Sequence, residues 1–439
     1  EPRSPNPWDY LPKLVLTTVP SWKVKSRWFY KVNKDQFEAD EAVRKKVAQL
    51  TKGLTTQRQK VVALTRWVAA NIRYRGMSMG REEGYTLHRG AQIFRERAGV
   101  CKDIAGMLIT MLRAAGYTVY PAMTMAGARV EKIPADQFNH CVVALKRKDG
   151  SYWLLDPTWV PLNRELWSNA EREQHYLVGS PRGETLMKTP PLEAKHNWTR
   201  VQTRSELRRD GSVVGRVTLS GGGYPESRLR RLLVRSHGAR ETREVFEALA
   251  AGLAGSQQGL GVKLEGYGFG DVGDLDTPFK MGFRFTMPSP TPAKDGEGKR
   301  VDGEQAYWLR IPTSAYPMAK TGASRLFRAV RAKARRAPVM MWLTQTIGCR
   351  EVMKLPAGVK LISGPYRKEV KGPGVRFVGR VWQKGRLLYL RSRLDVRKRT
   401  YPAADYTVLR KAVLAFLAFG KKRHQIGRAS CRERVCVGV

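Results

Sequence analysis

The sequence has few cysteines, few acidic residues for its basic content, and no long apolar run. Five cysteines occur among 439 residues, and their spacing forms neither a disulfide framework nor a CxxC or HExxH metal motif. The longest apolar stretch, AVLAFLAF at 412–419, is well short of the ~20 residues that a membrane span requires. We therefore expect no disulfides, no bound metal, no cofactor and no transmembrane segment.

The charge balance is strongly basic. Lys and Arg number 80 against 38 Asp and Glu, which gives a formal net charge of +42. This excess predicts attraction to an acidic surface or polymer, unless the arginines form only a solvated surface. The stretch 323–336, ASRLFRAVRAKARR, is predicted as a basic amphipathic helix and is the first candidate for such binding. Basic runs do not alternate with aromatic residues and no nucleic-acid motif occurs, so no specific nucleic acid is predicted.

Composition and pattern divide the chain into four segments. Residues 1–35 are interpreted as the remnant of an N-terminal strand-rich domain, because the chain begins at a glutamate and opens in what resembles the end of such a unit. Residues 36–197 form the predicted core, and 198–420 a strand-rich α+β region. The segment 421–439 is a basic tail, of which 426–439 resembles translated adapter sequence and is expected to be non-native.

The predicted core changes from helices to strands near Gly116. Between 57 and 75, apolar residues recur every three or four positions, with Thr55 or Thr56 as the helix cap. Strands are predicted at 117–125, 140–148 and 151–156, the last two joined by a hairpin at Asp149-Gly150. Helices that precede an antiparallel sheet indicate an α+β fold.

Cys101 lies at the start of a regular amphipathic helix. The stretch 99–117 is GVCKDIAGMLITMLRAAGY, in which apolar residues from Ile104 to Leu112 form one stripe and Gly116 ends the helix. The free N–H groups and the dipole at a helix start favour an anion. We expect them to lower the pKa of the Cys101 thiol and to stabilise an oxyanion formed by its attack.

His140 and Asp156 are the candidate partners of this cysteine. A two-residue turn would place 148 opposite 151 and 143 opposite 156, so that His140 comes close to Asp156. An imidazole activates a thiol, and a carboxylate orients the imidazole. Each of the three residues alone is more often structural, but the order Cys101, His140, Asp156 together predicts a catalytic triad.

Residues of about 60–160 resemble the transglutaminase-like superfamily. The matching motifs are WVAANIRY, GVCKD before an apolar helix, FNH at the start of a strand, and WLLDPT at the end of the next. The resemblance is greatest to bacterial proteins that carry this core between strand-rich regions. It implies a papain-type Cys–His–Asp core of helices packed on an antiparallel sheet. Val100 departs from the Gly-Asp-Cys pattern expected in many relatives.

The resemblance implies acyl transfer through a thioester. Cys101 would attack a peptide or protein amide, His140 would act as general base and acid, and Asp156 would orient His140. Water would give hydrolysis, as in a thiol protease or amidase, and an amine would give cross-linking. Tyr74 and Tyr85 are candidate oxyanion donors or merely packed aromatics. A periplasmic or cell-surface location is suggested by the resemblance alone.

Two other interpretations stay open at this point. The fold could be catalytically inactive and serve as a binding or assembly module. Alternatively, the chain could be a polyanion-binding protein whose three residues are incidental, with binding through 323–336. Labelling of Cys101 and the salt dependence of binding would distinguish the three.

Overall fold

The chain forms two compact units, one of residues Pro5–Leu192 and the other of Glu1–Ser4 with Glu193–Val439. The computed structural model describes residues 1, 3–76, 84–160, 162–168, 171–236, 238–254, 261–288, 306–310 and 323–428. Within these ranges, no helix combines the length and the apolar character that crossing a bilayer requires.

The described part of the unit Pro5–Leu192 contains five α-helices and seven strands, besides short 3-10 turns. In chain order they are α1 (Trp22–Asn33), α2 (Glu41–Thr51), α3 (Gln57–Asn71), β1 (Arg73–Tyr74), α4 (Gly90–Glu96), β2 (Ala98–Gly99), α5 (Cys101–Ala114), β3 (Val119–Thr124), β4 (His140–Lys146), β5 (Tyr152–Leu155), β6 (His175–Val178) and β7 (Met187–Lys188). Thr56 caps α3 in a reciprocal capping box with Gln59, which confirms one of its two predicted caps. The order of helices before sheet confirms the predicted α+β class.

The expectation of strands within 1–35 is wrong for α1. Ser21 caps this helix by accepting a hydrogen bond from the backbone of Val24. Its buried face is mostly polar: Ser26 donates to the carbonyl of Val178, and Asn33 bonds both Tyr85 and Leu87. A polar buried face lacks the apolar period by which a helix is recognised in a sequence. The proposed division of the chain into domains stays a prediction.

An antiparallel sheet of five strands, in the order β5-β4-β3-β6-β7, supports the second half of this unit. Helix α5 packs on one face, where Leu108 and Met111 join a buried core with Met123 and Val143. Trp167 packs on the other face. Because α5 is buried along most of its length, its first turn is held firmly against the sheet edge.

The hairpin between β4 and β5 differs from its predicted register by one residue. Val143 lies opposite Leu155, and the backbone N–H of Arg147 bonds to the carbonyl of Ser151. The loop therefore has three residues rather than two, with Gly150 at φ 85°, a conformation that glycine adopts without strain. This register brings Asp156 one position nearer to His140 than expected.

The second unit contains an eight-stranded sheet in the order β10-β11-β9-β8-β14-β18-β17-β16. Its elements are β8 (Trp198–Leu207), β9 (Val213–Gly222), α6 (Tyr224–Val234), α7 (Ala239–Ala254), β10 (Lys263–Phe269), β11 (Lys280–Met287), β12 (Ala306–Arg310), α8 (Ala323–Ala329), β13 (Val339–Met340), β14 (Gln345–Lys354), β15 (Val359–Leu361), β16 (Tyr366–Gly372), β17 (Val375–Lys384), β18 (Leu387–Val396), β19 (Thr400–Tyr401), α9 (Ala403–Lys421) and β20 (Arg423–Arg428). All neighbours in the large sheet are antiparallel except β8 and β14, which are parallel. Smaller sheets are β12-β20-β15 and β13-β19.

One prediction near the end of the chain needs correction. The basic helix expected over 323–336 ends at Ala329, because Arg335 instead bonds the carbonyls of Ala337 and Pro338 in a non-helical segment. That the segment 426–439 is non-native stays a prediction; its first residues belong to β20, where Ile426 is buried. Residues 429–439 lie outside the described part.

Candidate active site

Cys101 is the first residue of α5, and its side chain is partly exposed. The backbone N–H groups of Asp103 and Ile104 donate to the carbonyl of Val100. The N–H groups of Cys101 and Lys102 come earlier in the first turn, at the positive end of the helix dipole. They are therefore suited to bind a developing oxyanion beside the sulfur.

His140 and Asp156 lie beside this cysteine, so the structure brings all three predicted residues together. His140 begins β4 opposite Thr124 and forms a hydrogen bond with Cys101. Its Nε2 lies 3.4 Å from Oδ2 of Asp156. Asp156 follows β5 and is fully buried, and its Oδ1 accepts from the backbone of Thr158 at 3.0 Å. These contacts hold the carboxylate in a fixed position against the imidazole.

The surroundings favour a protonated His140. Burial alone would lower the pKa of this imidazole. The hydrogen bonds with Asp156 and Cys101, together with the negative charges of Asp156 and Glu171, outweigh burial and raise the pKa to about 11. An imidazolium next to a thiol stabilises the thiolate, which is the nucleophilic form of cysteine.

Trp159 also contacts His140, and this contact was not predicted from the sequence. Its indole Nε1 donates to Nε2 of His140 at 3.1 Å, and the two rings meet edge to face at 5.9 Å. Nε2 therefore has two neighbours, Trp159 and Asp156. The signal in the sequence was WLLDPTW, in which the tryptophan follows the aspartate by three residues.

Glu171 is a second carboxyl group at the site, and it was also missed. It is fully buried, and neither of its side-chain oxygens has a hydrogen-bond partner in the described part of the chain. Burial raises its pKa to about 8, with the charge of His140 opposing and that of Asp156 adding to the rise. Glu171 comes from a loop with no motif, so the sequence held no signal for it.

His140, Asp156 and Glu171 each place a ligand-type atom within 4.8 Å of the others. Such a set could in geometry hold a divalent cation. A cation there would occupy the imidazole that the thiol requires. The raised pKa of Glu171 instead favours a protonated carboxyl group near the Asp156 carboxylate, which leaves His140 free for the thiol.

A second His–Asp pair fixes the entry into α5. Oδ1 of Asp103 lies 2.8 Å from Nδ1 of His88, and its Oδ2 accepts from the backbone of Val100 at 2.9 Å. A Cβ atom at Gly99 would lie 2.5 Å from Cβ of Asp103, so only glycine fits there. This pair positions the turn that carries Cys101.

An open cleft of about 380 Å³ contains Cys101 and His140. Its walls are largely apolar and include Phe29, Tyr85 and Phe138. Tyr85 accepts a hydrogen bond from the backbone of Phe138. Tyr74 lies outside the residues that line this cleft, opposite Gly99 in the β1–β2 pair, and is half exposed. Of the two candidate oxyanion donors, Tyr85 is therefore the one that lines the cleft.

Part of the chain is similar to known proteins. Residues 44–157 match the sequence profile of the transglutaminase-like superfamily. No curated protein matches the chain. The solved structure of a proposed protease from Parabacteroides distasonis ATCC 8503 is similar, with a TM-score of 0.56 and 13% identity. The match covers 93% of this chain but 59% of that protein.

A proposed cysteine protease from Cytophaga hutchinsonii is also similar over a short stretch. It is 22% identical, with a TM-score of 0.23, over 28% of this chain and 39% of that protein. The structural likeness to the Parabacteroides protein, at 13% identity, shows a shared fold, and the superfamily match is confined to residues 44–157.

Proposed function

We propose that the unit Pro5–Leu192 is a transglutaminase-like cysteine acyltransferase or hydrolase that acts on amide or peptide bonds. The observation that supports this proposal is the contact chain from Cys101 through His140 to Asp156, opening into a cleft of about 380 Å³. In this proposal Cys101 is the nucleophile, His140 the general acid and base, and Asp156 the orienting carboxylate.

The first half of the reaction forms a thioester. The Cys101 thiolate attacks the carbonyl carbon of the substrate, and the carbonyl electrons move to an oxyanion that faces the N–H groups of the first turn of α5. Collapse of this intermediate breaks the C–N bond. Protonated His140 gives its proton to the departing amine, and the acyl group remains on sulfur.

The second half releases the acyl group. His140, now neutral, takes a proton from water or from an acceptor amine, whose lone pair attacks the thioester carbonyl. The C–S bond then breaks, and the thiolate–imidazolium pair is restored. Water yields a carboxylic acid, and an amine yields a new amide bond. The product masses with an amide substrate, with and without an added primary amine, separate the two outcomes.

The test is labelling with a peptide-like electrophile, followed by a screen of amide substrates. We expect one adduct, on Cys101, and loss of turnover in Cys101→Ala and His140→Ala. An inactive binding or assembly module would instead show a thiol that titrates near the ordinary ~8.5 and no turnover. That result would replace the enzymatic proposal.

A further inference from the structure

The eight-stranded sheet carries its helices on one face. On that face, Phe377 of β17 packs against Phe416 and Phe419 of α9, and Phe283 of β11 packs against Phe246 of α7. The residues that alternate with these point to the opposite face, where many are exposed. This opposite face, called the outer face below, is rich in arginine.

Arginines stand directly opposite one another across four neighbouring strands of the outer face. Arg350 of β14 pairs with Arg391 of β18. Arg391 pairs in turn with Arg380 of β17, and Arg380 with Arg367 of β16. All four side chains are exposed. Because neighbouring strands are ~4.8 Å apart, the row presents a guanidinium group at each step of that length.

The row continues on the other half of the sheet with a small offset. Arg204 of β8 pairs with Arg216 of β9, which pairs with Arg284 of β11. Arg350 lies beside Gln202, two residues from Arg204. The two rows therefore join into one stripe across seven strands, about 29 Å long at ~4.8 Å per strand. We call these seven residues the arginine stripe.

The positive charge of the arginine stripe is nearly uncompensated. Arg367 has an ion-pair partner, Glu369 at 2.7 Å. None of the other six has a carboxylate at salt-bridge distance in the described part of the chain. Like charges directly opposite on a sheet are destabilising. The stripe thus lowers the stability of the sheet, which points to a role in binding an anion.

Aromatic rings lie next to the stripe. Trp382 and Tyr389 stack with their centroids 5.2 Å apart and their planes 7° apart. They stand on the outer face, two residues along their strands from Arg380 and Arg391. Strand β16 begins opposite Val381, so the ladder places no cross-strand neighbour beyond Trp382. The Trp382 side chain is partly exposed.

We propose that the arginine stripe binds a single strand of nucleic acid without sequence preference, with a base stacked on Trp382. Guanidinium groups pair with phosphates in a bidentate manner, and aromatic rings stack on bases of any sequence. Trp382 and Tyr389 share β17 and β18 with Arg380 and Arg391, and the sheet brings the arginines of the other strands into line with them. The proposal is independent of the chemistry at Cys101.

The test measures binding of a fluorescent 20-nucleotide oligothymidylate to the full chain over a range of salt concentrations. We expect tight binding at low salt that weakens steeply as salt increases. The variant R350Q/R380Q/R391Q should bind at least about tenfold more weakly and flatten the slope of log K against log salt by about 2, since each phosphate contact on a single strand contributes ~0.7.

A matched control removes the same charge elsewhere. The variant R331Q/K333Q/R336Q changes three exposed basic residues of the segment first considered for polyanion binding. We expect it to change affinity less than about threefold. Circular dichroism verifies that both triple variants are folded. Equal weakening in the two variants, or the absence of binding at 50 mM salt, would overturn the proposal.

A second arm identifies the class of polymer. Trp382→Leu should weaken oligothymidylate binding by about fivefold or more, because stacking on one base contributes ~1–3 kcal/mol. It should leave binding of long-chain inorganic polyphosphate, which has no bases, unchanged. If Trp382→Leu leaves the oligonucleotide affinity unchanged, or anionic vesicles bind as tightly as the oligonucleotide, then nucleic acid is the wrong partner.

Discussion

The indole Nε1 of Trp159 lies 3.1 Å from Nε2 of His140, and this same nitrogen faces Asp156 at 3.4 Å. Trp159 can donate to Nε2 only when that nitrogen carries no proton, whereas Nε2 can donate to Asp156 only when it does. The two contacts therefore belong to different protonation states of Nε2. A protonated Nε2 donates to Asp156, and an unprotonated Nε2 accepts from Trp159.

Two variants at Trp159 should distinguish the effect of its hydrogen bond to His140 from the effect of its ring, which shields His140 from water. Trp159→Phe keeps a ring beside His140 and should slow alkylation of Cys101 at pH 6 by less than about threefold. Trp159→Ala opens the His140–Asp156 contact to water, where charges interact more weakly, and should slow it by about tenfold. Equal rates in the two variants would contradict a role for coverage. The measurement is the second-order rate with iodoacetamide.

Cys101 should be alkylated selectively over the buried cysteines. Burial raises the pKa of Cys141 well above its ordinary value and that of Cys349 to about 12. Peptide mapping after brief iodoacetamide treatment at pH 6–7 should find Cys101 modified and these two unmodified. His140→Ala should slow the reaction of Cys101 by about tenfold or more, because the imidazolium that stabilises the thiolate is gone. Modification of Cys141 at a similar rate would be evidence against the proposed pair.

Asp156→Asn should reduce turnover by roughly 10²–10⁴, the range seen when the orienting carboxylate of a triad is lost. The variant should also shift the alkaline limb of the pH–rate profile to lower pH. The pKa of His140 is raised to about 11 in part by Asp156, so its loss lets the ring deprotonate earlier. Asp149→Asn, in the exposed turn of the same hairpin, is the control and should leave both measurements unchanged. An unshifted alkaline limb in Asp156→Asn would show that Asp156 does not set this ionisation.

Glu171→Gln should change how stability depends on pH. The pKa of Glu171 is about 8 in the folded protein against an ordinary 4.5, so ionisation is disfavoured on folding. The stabilisation that protonated Glu171 contributes to the folded state is fully present below pH 4.5 and is lost as the pH rises through 8. Glutamine does not titrate, so the variant should gain stability relative to the parent between pH 5 and 9. Urea unfolding at pH 5, 7 and 9 measures this difference, and a constant difference would refute the assignment.

Arg230 should be essential to the stability of the second unit. Its guanidinium is fully buried, lies 2.8 Å from Glu226, and donates to the carbonyls of Asp271 and Thr277. Arg230→Gln leaves Glu226 without its charge partner and should cost about 3–5 kcal/mol. The exposed pair of Arg240 with Glu244 is the control, and Arg240→Gln should change the free energy of unfolding by less than about 0.5 kcal/mol. Similar losses in the two variants, measured by denaturant unfolding, would contradict this account.

Most of the features that could be predicted from the sequence were predicted from local patterns. The apolar stripe of α5 placed Cys101 at a helix start, and strand alternation placed His140 and Asp156 near each other. The hairpin register was wrong by one residue, because Asp-Gly is compatible with both two- and three-residue loops.

Other features depend on contacts between distant parts of the chain. Helix α1 was missed because its buried face is polar, and Glu171 because its burial depends on packing rather than on a motif. The arginine stripe was hidden for a further reason. Its members lie on seven strands whose register no local pattern specifies.

The parallel pairing of β8 with β14 has a consequence for the rate at which this protein reaches its native state. Ser205 of β8 donates to Glu351 of β14 across this pair, and the two residues are 146 positions apart in the chain. Contacts of such long range must close a large loop before they contribute any stabilisation. We therefore expect the antiparallel hairpins on either side to form early and their joining at β8 and β14 to be the slow step, during which unpaired strand edges are open to aggregation.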